Sequence, residues 1–397
     1  MAGRIPVDEH AAFVRSLLTG LGARPTERVA LADALGRITA SPVESPIALP
    51  PFRNSQMDGF AVRAVDVTDA PVSLPITGEV AAAAGSPGPL APGTAVRIMT
   101  GAPVPEGADA IVPVEDTESD GARIRILRPR AAGEYVREAG ADLAAGDDVL
   151  PPGLKLASRH LAAAAASGLT ELLVRERVRV AVVSTGSELV PPGSALQPGE
   201  IPDANGVALA AAVRAVGAVV VHEGRVRDDV SRLRAELDAA RDAGAELVLT
   251  SGGVSMGAYE VVRETLGPLG GWVGSVAMQP GGPQATGAYR GMPVIGFPGN
   301  PVSAQLSFEL FVAPTLRAIA GLPPARTERL PLAAPLTSVA GKRQFLRGRR
   351  ADDGRVEVVG GPGSHLVAAL AASELLIVVP EDVTSLDAGA MVDTVFL

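Results

Sequence analysis

The chain reads as a multidomain α/β protein. It has a central three-layer α/β domain on a parallel sheet, an inserted β-rich domain before it, and a small C-terminal β domain after it. Three observations predict this. Beyond Arg177, short Val, Leu and Ala runs alternate with helical patterns closed by glycine, the rhythm of repeated strand–helix units. Between 52 and 135, short apolar runs are separated by turn residues alone. From 330 to 397 strand-like runs dominate again. With 397 residues the chain exceeds one ordinary domain.

In chain order, 7–21 has helical periodicity, with Ala11, Val14, Leu17, Leu18 and Leu21 on one face and Gly22 as the stop. A second short helix is predicted over 29–35, ending at Gly36. Dense proline from Pro42 to Pro51 marks a linker or a domain crossing. The β-rich piece has strands expected at 72–80, 95–99, 110–114 and 123–127. A helix at 158–167, stopped by Gly168, returns the chain to mixed character. This organisation predicts domains at 1–45 with 136–175 (one discontinuous unit), 46–135, 176–325 and 326–397.

The α/β signal is strongest from 178, a fully apolar strand over 178–183 followed by a polar loop, Ser184 to Glu188. A helix over 205–216 ends at Gly217, and a strand follows at 218–221. An amphipathic helix over 229–243 ends at Gly244. The buried strand 246–250 leads into Ser251-Gly252-Gly253-Val254-Ser255-Met256-Gly257 and a helix near 259–266. Strands near 272–278 and 294–297, then a long helix over 302–320, complete the domain, and Gly321-Leu322-Pro323-Pro324 is a linker.

Composition excludes several function classes. Net charge is −9, which argues against nucleic acid as a main partner, since phosphate backbones call for a basic surface. Cysteine is absent, so there are no disulfides, thiolate metal sites or thiol nucleophile. His10, His160, His222 and His365 are scattered without ligand spacing, against a zinc site. Arg4, Asp8 and Glu9 interrupt any signal-peptide run, and no uncharged apolar segment reaches the roughly 18 residues of a membrane helix. A soluble, cytoplasmic protein with no membrane partner is expected. Hydrophobic residues make up 47% but aromatics only 3%, so the cores must be built from Ala, Val and Leu.

Three loops fall at strand ends of the α/β domain: Ser184-Thr185-Gly186-Ser187-Glu188, Thr250 to Gly257, and Pro298-Gly299-Asn300-Pro301. Strand-end loops at one sheet edge form ligand crevices. Paired glycines allow close backbone approach, and the Thr250, Ser251 and Ser255 hydroxyls add donors. Asn300 can cap the helix that follows, Pro301 suits its first turn, and Ser303 sits where free N–H groups favour an anion. The acidic candidates are Asp58, Asp142, Glu188, Asp228, Asp229 and Glu260, and two or more could hold Mg²⁺ against substrate phosphates. Simpler roles exist: Asp229 as a helix cap, Glu260 as a solvated first-turn residue. Asp58 lies among apolar neighbours, which predicts partial burial.

Several motifs together carry a resemblance: Ser55-Gln56-Met57-Asp58-Gly59-Phe60-Ala61-Val62, Arg97-Ile98-Met99-Thr100-Gly101-Ala102, Ser184-Thr185-Gly186-Ser187-Glu188-Leu189, Thr250-Ser251-Gly252-Gly253-Val254-Ser255 and Pro298-Gly299-Asn300-Pro301-Val302-Ser303. Their order and spacing resemble the molybdopterin molybdenumtransferase (molybdenum insertase) family, which includes the gephyrin E domain. The resemblance implies four domains, an elongated homodimer, and insertion of molybdate into adenylylated molybdopterin with Mg²⁺-dependent release of AMP. It implies acidic roles for Asp58 (acting from the other subunit), Asp142, Glu188, Asp228 and Glu260, with Asp228 and Glu260 holding Mg²⁺. Substrate contacts are implied for Thr100, Gly101, Ser184, Thr185, Gly186, Thr250 to Ser255, Pro283, Pro298 to Pro301, Ser303 and Arg347. A molybdopterin adenylyltransferase is an implied delivery partner.

The chain departs from the family in Gln279-Pro280-Gly281-Gly282-Pro283, where two cations are replaced by Gln279 and Gly282. Arg347, Arg343, Lys342 and Arg290 are the cations available to compensate. Ala258, Glu260, Ser187 and Phe60 are further departures. Alternative readings are an adenylyltransferase-like pterin enzyme and a catalytically weak pterin-binding or scaffold protein.

Overall fold

The computed structural model describes residues 4–83, 85–254 and 260–397. It divides into two compact units, Thr26–Val174 and a second built from Met1–Pro25 with Arg175–Leu397.

In the first unit, six strands form one sheet in the order Ala110–Pro113, Gly59–Val62, Ala95–Ile98, Val72–Val80, Arg123–Ile126, Thr117–Ser119. Gly59 in this sheet sits against its neighbour: a Cβ there would lie 2.1 Å from the Val112 carbonyl oxygen. A separate core gathers Ala34, Leu150, Leu156, Ala164, Leu172 and Val174 around the helix Ser158–Ala166. The helix predicted over 29–35 is instead the strand Thr26–Ala30, paired with Glu171–Arg175, and a short 3₁₀ turn Leu31–Asp33. Strand pairing has overridden a local helix preference, which is worth only tenths of a kcal/mol per residue.

In the second unit, a six-stranded sheet runs Val219–Val226, Arg179–Thr185, Leu247–Ser251, Met292–Phe297, Pro283–Tyr289, Trp272–Ser275. The first four strands are mutually parallel. Val180 and Val182 face one core, Ala181 and Val183 the other, so the strand reads as a continuous apolar run. Helices cover both faces, giving three layers.

The sheet is mixed rather than wholly parallel, because its last two strands are antiparallel. The strand Pro283–Tyr289 is absent from the sequence reading: an initial proline and an internal glycine mask it. Its hairpin to Met292–Phe297 turns on Arg290 and Gly291, both at positive φ, 49° and 86°. That is the pattern of a primed two-residue turn, here without its usual Asn-Gly signal.

The predicted strand at 272–278 divides in two. Trp272–Ser275 joins the large sheet, whereas Met278–Gln279 pairs with Arg343–Arg350 in the C-terminal sheet. The long helix over 302–320 is interrupted by a π-helical segment, Phe308–Val312, between Pro301–Ser307 and Ala313–Ile319. Pro314 has no N–H for the Leu310 carbonyl, so the regular ladder cannot continue there. The C-terminal region is strand-dominated but also contains a helix, Val367–Ala371. Of the helix near 259–266, Val261–Leu266 is present and Tyr259 lies outside the described residues. No helix among the described residues is long and apolar enough to cross a membrane.

The N-terminal helix is Val7–Leu18, continued by a 3₁₀ turn to Gly22. Grouped from sequence with 136–175, it instead places Val7, Val14 and Leu18 in the core of the α/β unit. His10 on this helix is fully buried, 5.0 Å from the Trp272 ring and 4.6 Å from that of Phe311. Neither ring nitrogen has a partner among the described residues. Burial lowers its pKa from 6.5 to about 4. The unfolded imidazole takes up a proton below pH 6.5 and the folded one only near pH 4. Stability is therefore full above pH 6.5 and falls as pH drops to 4, by about 3 kcal/mol. His10→Phe should flatten the dependence of the unfolding temperature on pH across that window. An unchanged slope would remove His10 as its source.

Candidate active site

The carboxyl ends of the parallel strands open on a cleft of about 680 Å³, formed wholly within the second unit. Thr185, Gly186 and Glu188 follow one strand, Asp228 the next, Gly252, Gly253 and Val254 the third, and Pro298, Gly299 and Asn300 the fourth. Glu260, Pro283 and Ser303 also line the cleft.

Backbone bonds hold these loops together. The Ser187 N–H donates to Asp228 Oδ2 at 3.1 Å, and the Asp228 N–H donates to Ser187 Oγ at 3.2 Å. The Gly252 N–H donates to the Phe297 carbonyl at 2.9 Å. Gly252 has φ +91°, and a Cβ there would lie 2.4 Å from the Thr185 carbonyl oxygen, so only glycine lets these two loops touch. The Val262 and Arg263 N–H groups both donate to the Gly253 carbonyl at 3.2 Å, folding the loop onto the next helix.

The Pro298–Pro301 loop is held from outside. Asn205 Nδ2 donates to the Gly299 carbonyl at 2.7 Å. Asn205 lies on the helix Ala204–Ala215, whose N-cap Asp203 accepts from the Gly206 N–H at 2.9 Å and from Ser184 Oγ at 2.9 Å. Asp203 and Asn205 escaped sequence reasoning, because Asp203 reads as an ordinary cap and Asn205 as a helix residue. Asn300 occupies the N-cap position but makes no side-chain cap bond, contrary to its expected capping role. Asp229 does cap its helix, accepting from the Arg232 N–H at 2.9 Å. That bond and the one from Ser231 lower its carboxyl pKa, the Ser231 hydroxyl most.

Several expected substrate contacts lie elsewhere. Ser184, Thr250 and Ser251 are buried within strands rather than in loops. Ser184 donates to Asp203, Ser251 donates to Ser184 Oγ at 3.4 Å, and the Thr250 hydroxyl has no partner among the described residues. Adjacent strand residues point to opposite faces, and both faces of this sheet are covered, so all three side chains are buried. Pro301 opens its helix and does not line the cleft. Ser255 lies outside the described residues. Arg347 is 1% exposed and donates to the Gly361 carbonyl. Burial lowers its pKa. It stands behind the loop that sends Pro362, Gly363, Ser364 and His365 into the cleft.

Asp58, Thr100, Gly101 and Asp142 belong to the first unit. Asp58 Oδ1 accepts from the Thr100 N–H at 2.7 Å and its hydroxyl at 2.8 Å, and these bonds lower the carboxyl pKa, the backbone one most. Asp58 is exposed, not partly buried. The neighbouring Gly59–Val62 strand takes the apolar residues inside and leaves Asp58 at its end. Gly101 has φ +78° and donates its N–H to the Ser55 carbonyl at 2.8 Å. Asp142 is exposed, with its N–H on the Leu49 carbonyl at 2.9 Å.

The cleft is bipolar. Its carboxylates, Glu188, Asp228 and Glu260, come from strand-end loops; its cations, Arg4 and Lys342, come from the N-terminal segment and the C-terminal region. No group of three metal-ligating side chains close enough to hold an ion occurs among the described residues. Mg²⁺ commonly needs only one or two carboxylates plus substrate phosphates, and Asp228 and Glu260 in one cleft suit that mode. Arg4, Ser364 and His365 had no local signal in the sequence; only the fold brings them here.

Residues 5–168 match the MoeA N-terminal region (domain I and II), 181–318 the probable molybdopterin binding domain, and 329–397 the MoeA C-terminal region (domain IV). The chain is 46% identical over 400 residues to molybdopterin molybdenumtransferase 2 of Mycobacterium tuberculosis, covering 96% of this chain and 97% of that protein. Molybdopterin molybdenumtransferase 1 of the same organism is 37% identical, covering 93% and 94%. The crystal structure of a molybdopterin biosynthesis MoeA protein from Pyrococcus horikosii superposes with a TM-score of 0.80 at 33% identity, over 99% of each chain. By these matches across all its regions, the chain belongs to the molybdopterin molybdenumtransferase (MoeA) family.

Proposed function

We propose that the chain inserts molybdate into adenylylated molybdopterin, releasing AMP in a Mg²⁺-dependent step of molybdenum cofactor biosynthesis. The observation that carries this reading is the cleft itself, with carboxylates from strand-end loops and cations from two other segments. Breaking the phosphoanhydride to AMP calls for positioning and charge neutralisation more than for a protein nucleophile. Asp228 and Glu260 are the residues that would hold Mg²⁺, whose charge offsets that of the phosphates. Gly186, Gly252 and Gly253 let the substrate approach the backbone closely, and Glu188 orients groups at the first loop. Arg347 keeps the 360–365 loop in place rather than touching the anion.

The reading includes a cytoplasmic homodimer in which Asp58 of the partner subunit, preorganised by its Thr100 contacts, completes the site with Thr100, Gly101 and Asp142. It also includes delivery of the adenylylated pterin by a molybdopterin adenylyltransferase. The test is AMP release from adenylylated molybdopterin with Mg²⁺, with and without molybdate. Molybdate-stimulated release is expected, and chelation of Mg²⁺ should stop it. Tight pterin binding without release under any condition would replace the insertase reading with that of a binding protein.

A further inference from the structure

We propose that Arg4, brought in by the N-terminal segment, is a further anion-binding residue of this cleft and completes, beside Lys342, a cationic pole that takes a tetrahedral oxyanion. The identity of that anion as molybdate, or as a phosphate of the adenylylated pterin, rests on the proposed function; the binding pole rests on the geometry.

Arg4 and Lys342 are placed by the same short segment. The Ile5 N–H donates to the Ser275 carbonyl at 3.0 Å, and the Ala277 N–H donates to the Ile5 carbonyl at 2.8 Å. The Arg343 N–H donates to the Ala277 carbonyl at 2.8 Å, and Met278 and Gln279 pair in register with Arg343 and Gln344. Each cation thus immediately precedes a residue bonded to Ser275–Gln279, which itself lines the cleft through Ser275, Val276, Met278 and Gln279. A further clamp joins the two carriers: Arg343 Nη1 and Nη2 donate to the Asp8 carboxylate at 2.7 and 2.9 Å.

The other candidate cations are committed, and Arg290 sits in the hairpin that opens Met292–Phe297, at the end of that strand away from the cleft. Arg343 serves Asp8 and Glu381, Arg347 is buried on the Gly361 carbonyl, and Arg290 pairs with Asp238 at 3.3 Å. Gln279 contributes no charge, and its Oε1 accepts from Gln344 Nε2 at 2.9 Å. Neither Arg4 nor Lys342 forms an ion pair among the described residues, so both charges remain available to a ligand. A guanidinium presents paired donors that match two oxygens of a tetrahedral anion, and the ammonium adds a point charge. Three carboxylates in the same cleft would repel such an anion without this pole.

The test is calorimetric titration of the full chain with sodium molybdate and, separately, with inorganic pyrophosphate. Arg4→Ala and Lys342→Ala should each weaken molybdate binding on the order of tenfold, with Arg4→Lys intermediate and the double variant weaker still. Unfolding temperatures should match the parent chain, separating lost charge from lost structure. Weakened pyrophosphate binding with unchanged molybdate binding would support the pole and assign it to the substrate's phosphates. Unchanged affinity for both anions in Arg4→Ala, or a parent chain that binds neither, would overturn the proposal. A parent chain that releases AMP alongside an unaffected Arg4→Ala would defeat only this inference; one that binds anions but never releases AMP would defeat only the proposed function.

Discussion

Replacing Asp228 with asparagine should lower molybdate-dependent AMP release on the order of a hundredfold or more while leaving the unfolding temperature unchanged. The choice of asparagine matters. Asp228 does two things in the structure: its carboxylate lines the cleft, and its Oδ2 accepts the Ser187 N–H at 3.1 Å. Asparagine keeps an acceptor for Ser187 and removes the charge. Asp228→Ala removes both and should be at least as damaging. If the carboxylate serves only to hold the Ser187 loop, the asparagine variant will turn over within about threefold of the parent. That result would take Asp228 out of metal and phosphate binding. Added Mg²⁺ gives a second readout: a lost ligand raises the Mg²⁺ concentration needed for half-maximal rate, whereas a loosened loop does not.

The largest effect on stability is expected at Arg24, far from the chemistry. Its side chain is 2% exposed and pairs bidentately with Glu246, at 2.8 Å to Oε1 and 2.9 Å to Oε2. It also donates to the Glu176 carbonyl at 3.1 Å and the Arg177 carbonyl at 2.9 Å. Glu246 immediately precedes the central strand Leu247–Ser251 and accepts the Arg179 N–H at 3.0 Å. One guanidinium therefore ties the N-terminal segment to the starts of two parallel strands. Burial pushes the Glu246 carboxyl up, but the bonds from Arg24 and Arg179 outweigh it and hold the pKa below 4.5. The pair's contribution is thus present at neutral pH and lost as acid protonates the folded carboxyl.

Arg24→Ala leaves that carboxylate partly buried without its main partner. It should cost about 3 kcal/mol, because breaking a buried pair strands a charge. In a unit of this size the unfolding temperature should fall by roughly 6–12 °C. A shift under about 2 °C would mean that water replaces the guanidinium at no net cost. Arg24→Lys should recover little, since an ammonium cannot reproduce two parallel N–H···O bonds and the two carbonyl contacts.

Local pattern was enough to locate most of the site's framework. The run 178–183 is apolar because both faces of its strand are covered, and the strand Arg179–Thr185 lies there. Gly217 and Gly244 follow helices that end at Ala215 and Asp242. The three polar, glycine-bearing loops at strand ends place Thr185, Gly186, Glu188, Gly252, Gly253 and Asn300 in one cleft, as the spacing predicts. Each of these features depends on neighbours within a few residues, which a linear reading contains.

Most of the misses arise from contacts that a local reading does not contain. The 29–35 segment prefers helix locally but is drawn partly into a strand by a partner more than a hundred residues away. The Pro283–Tyr289 strand exists because a hairpin at Arg290-Gly291 returns it to a neighbour. Ser184, Thr250 and Ser251 have the chemistry of substrate donors, but strand registry spends them inside the protein. Arg347 carries the right charge and faces a carbonyl instead of the cleft. Arg4, by contrast, carries no binding signal in the sequence and reaches the cleft through two backbone hydrogen bonds of its neighbour Ile5. The sequence by itself determined the α/β architecture and the strand-end loops, because periodicity and turn chemistry are local, whereas the acidic residues were singled out from their simpler roles only by the family resemblance. Only the tertiary structure decided which cations line the cleft. Side-chain direction there depends on contacts between residues separated by hundreds of positions, and no window of sequence holds both partners.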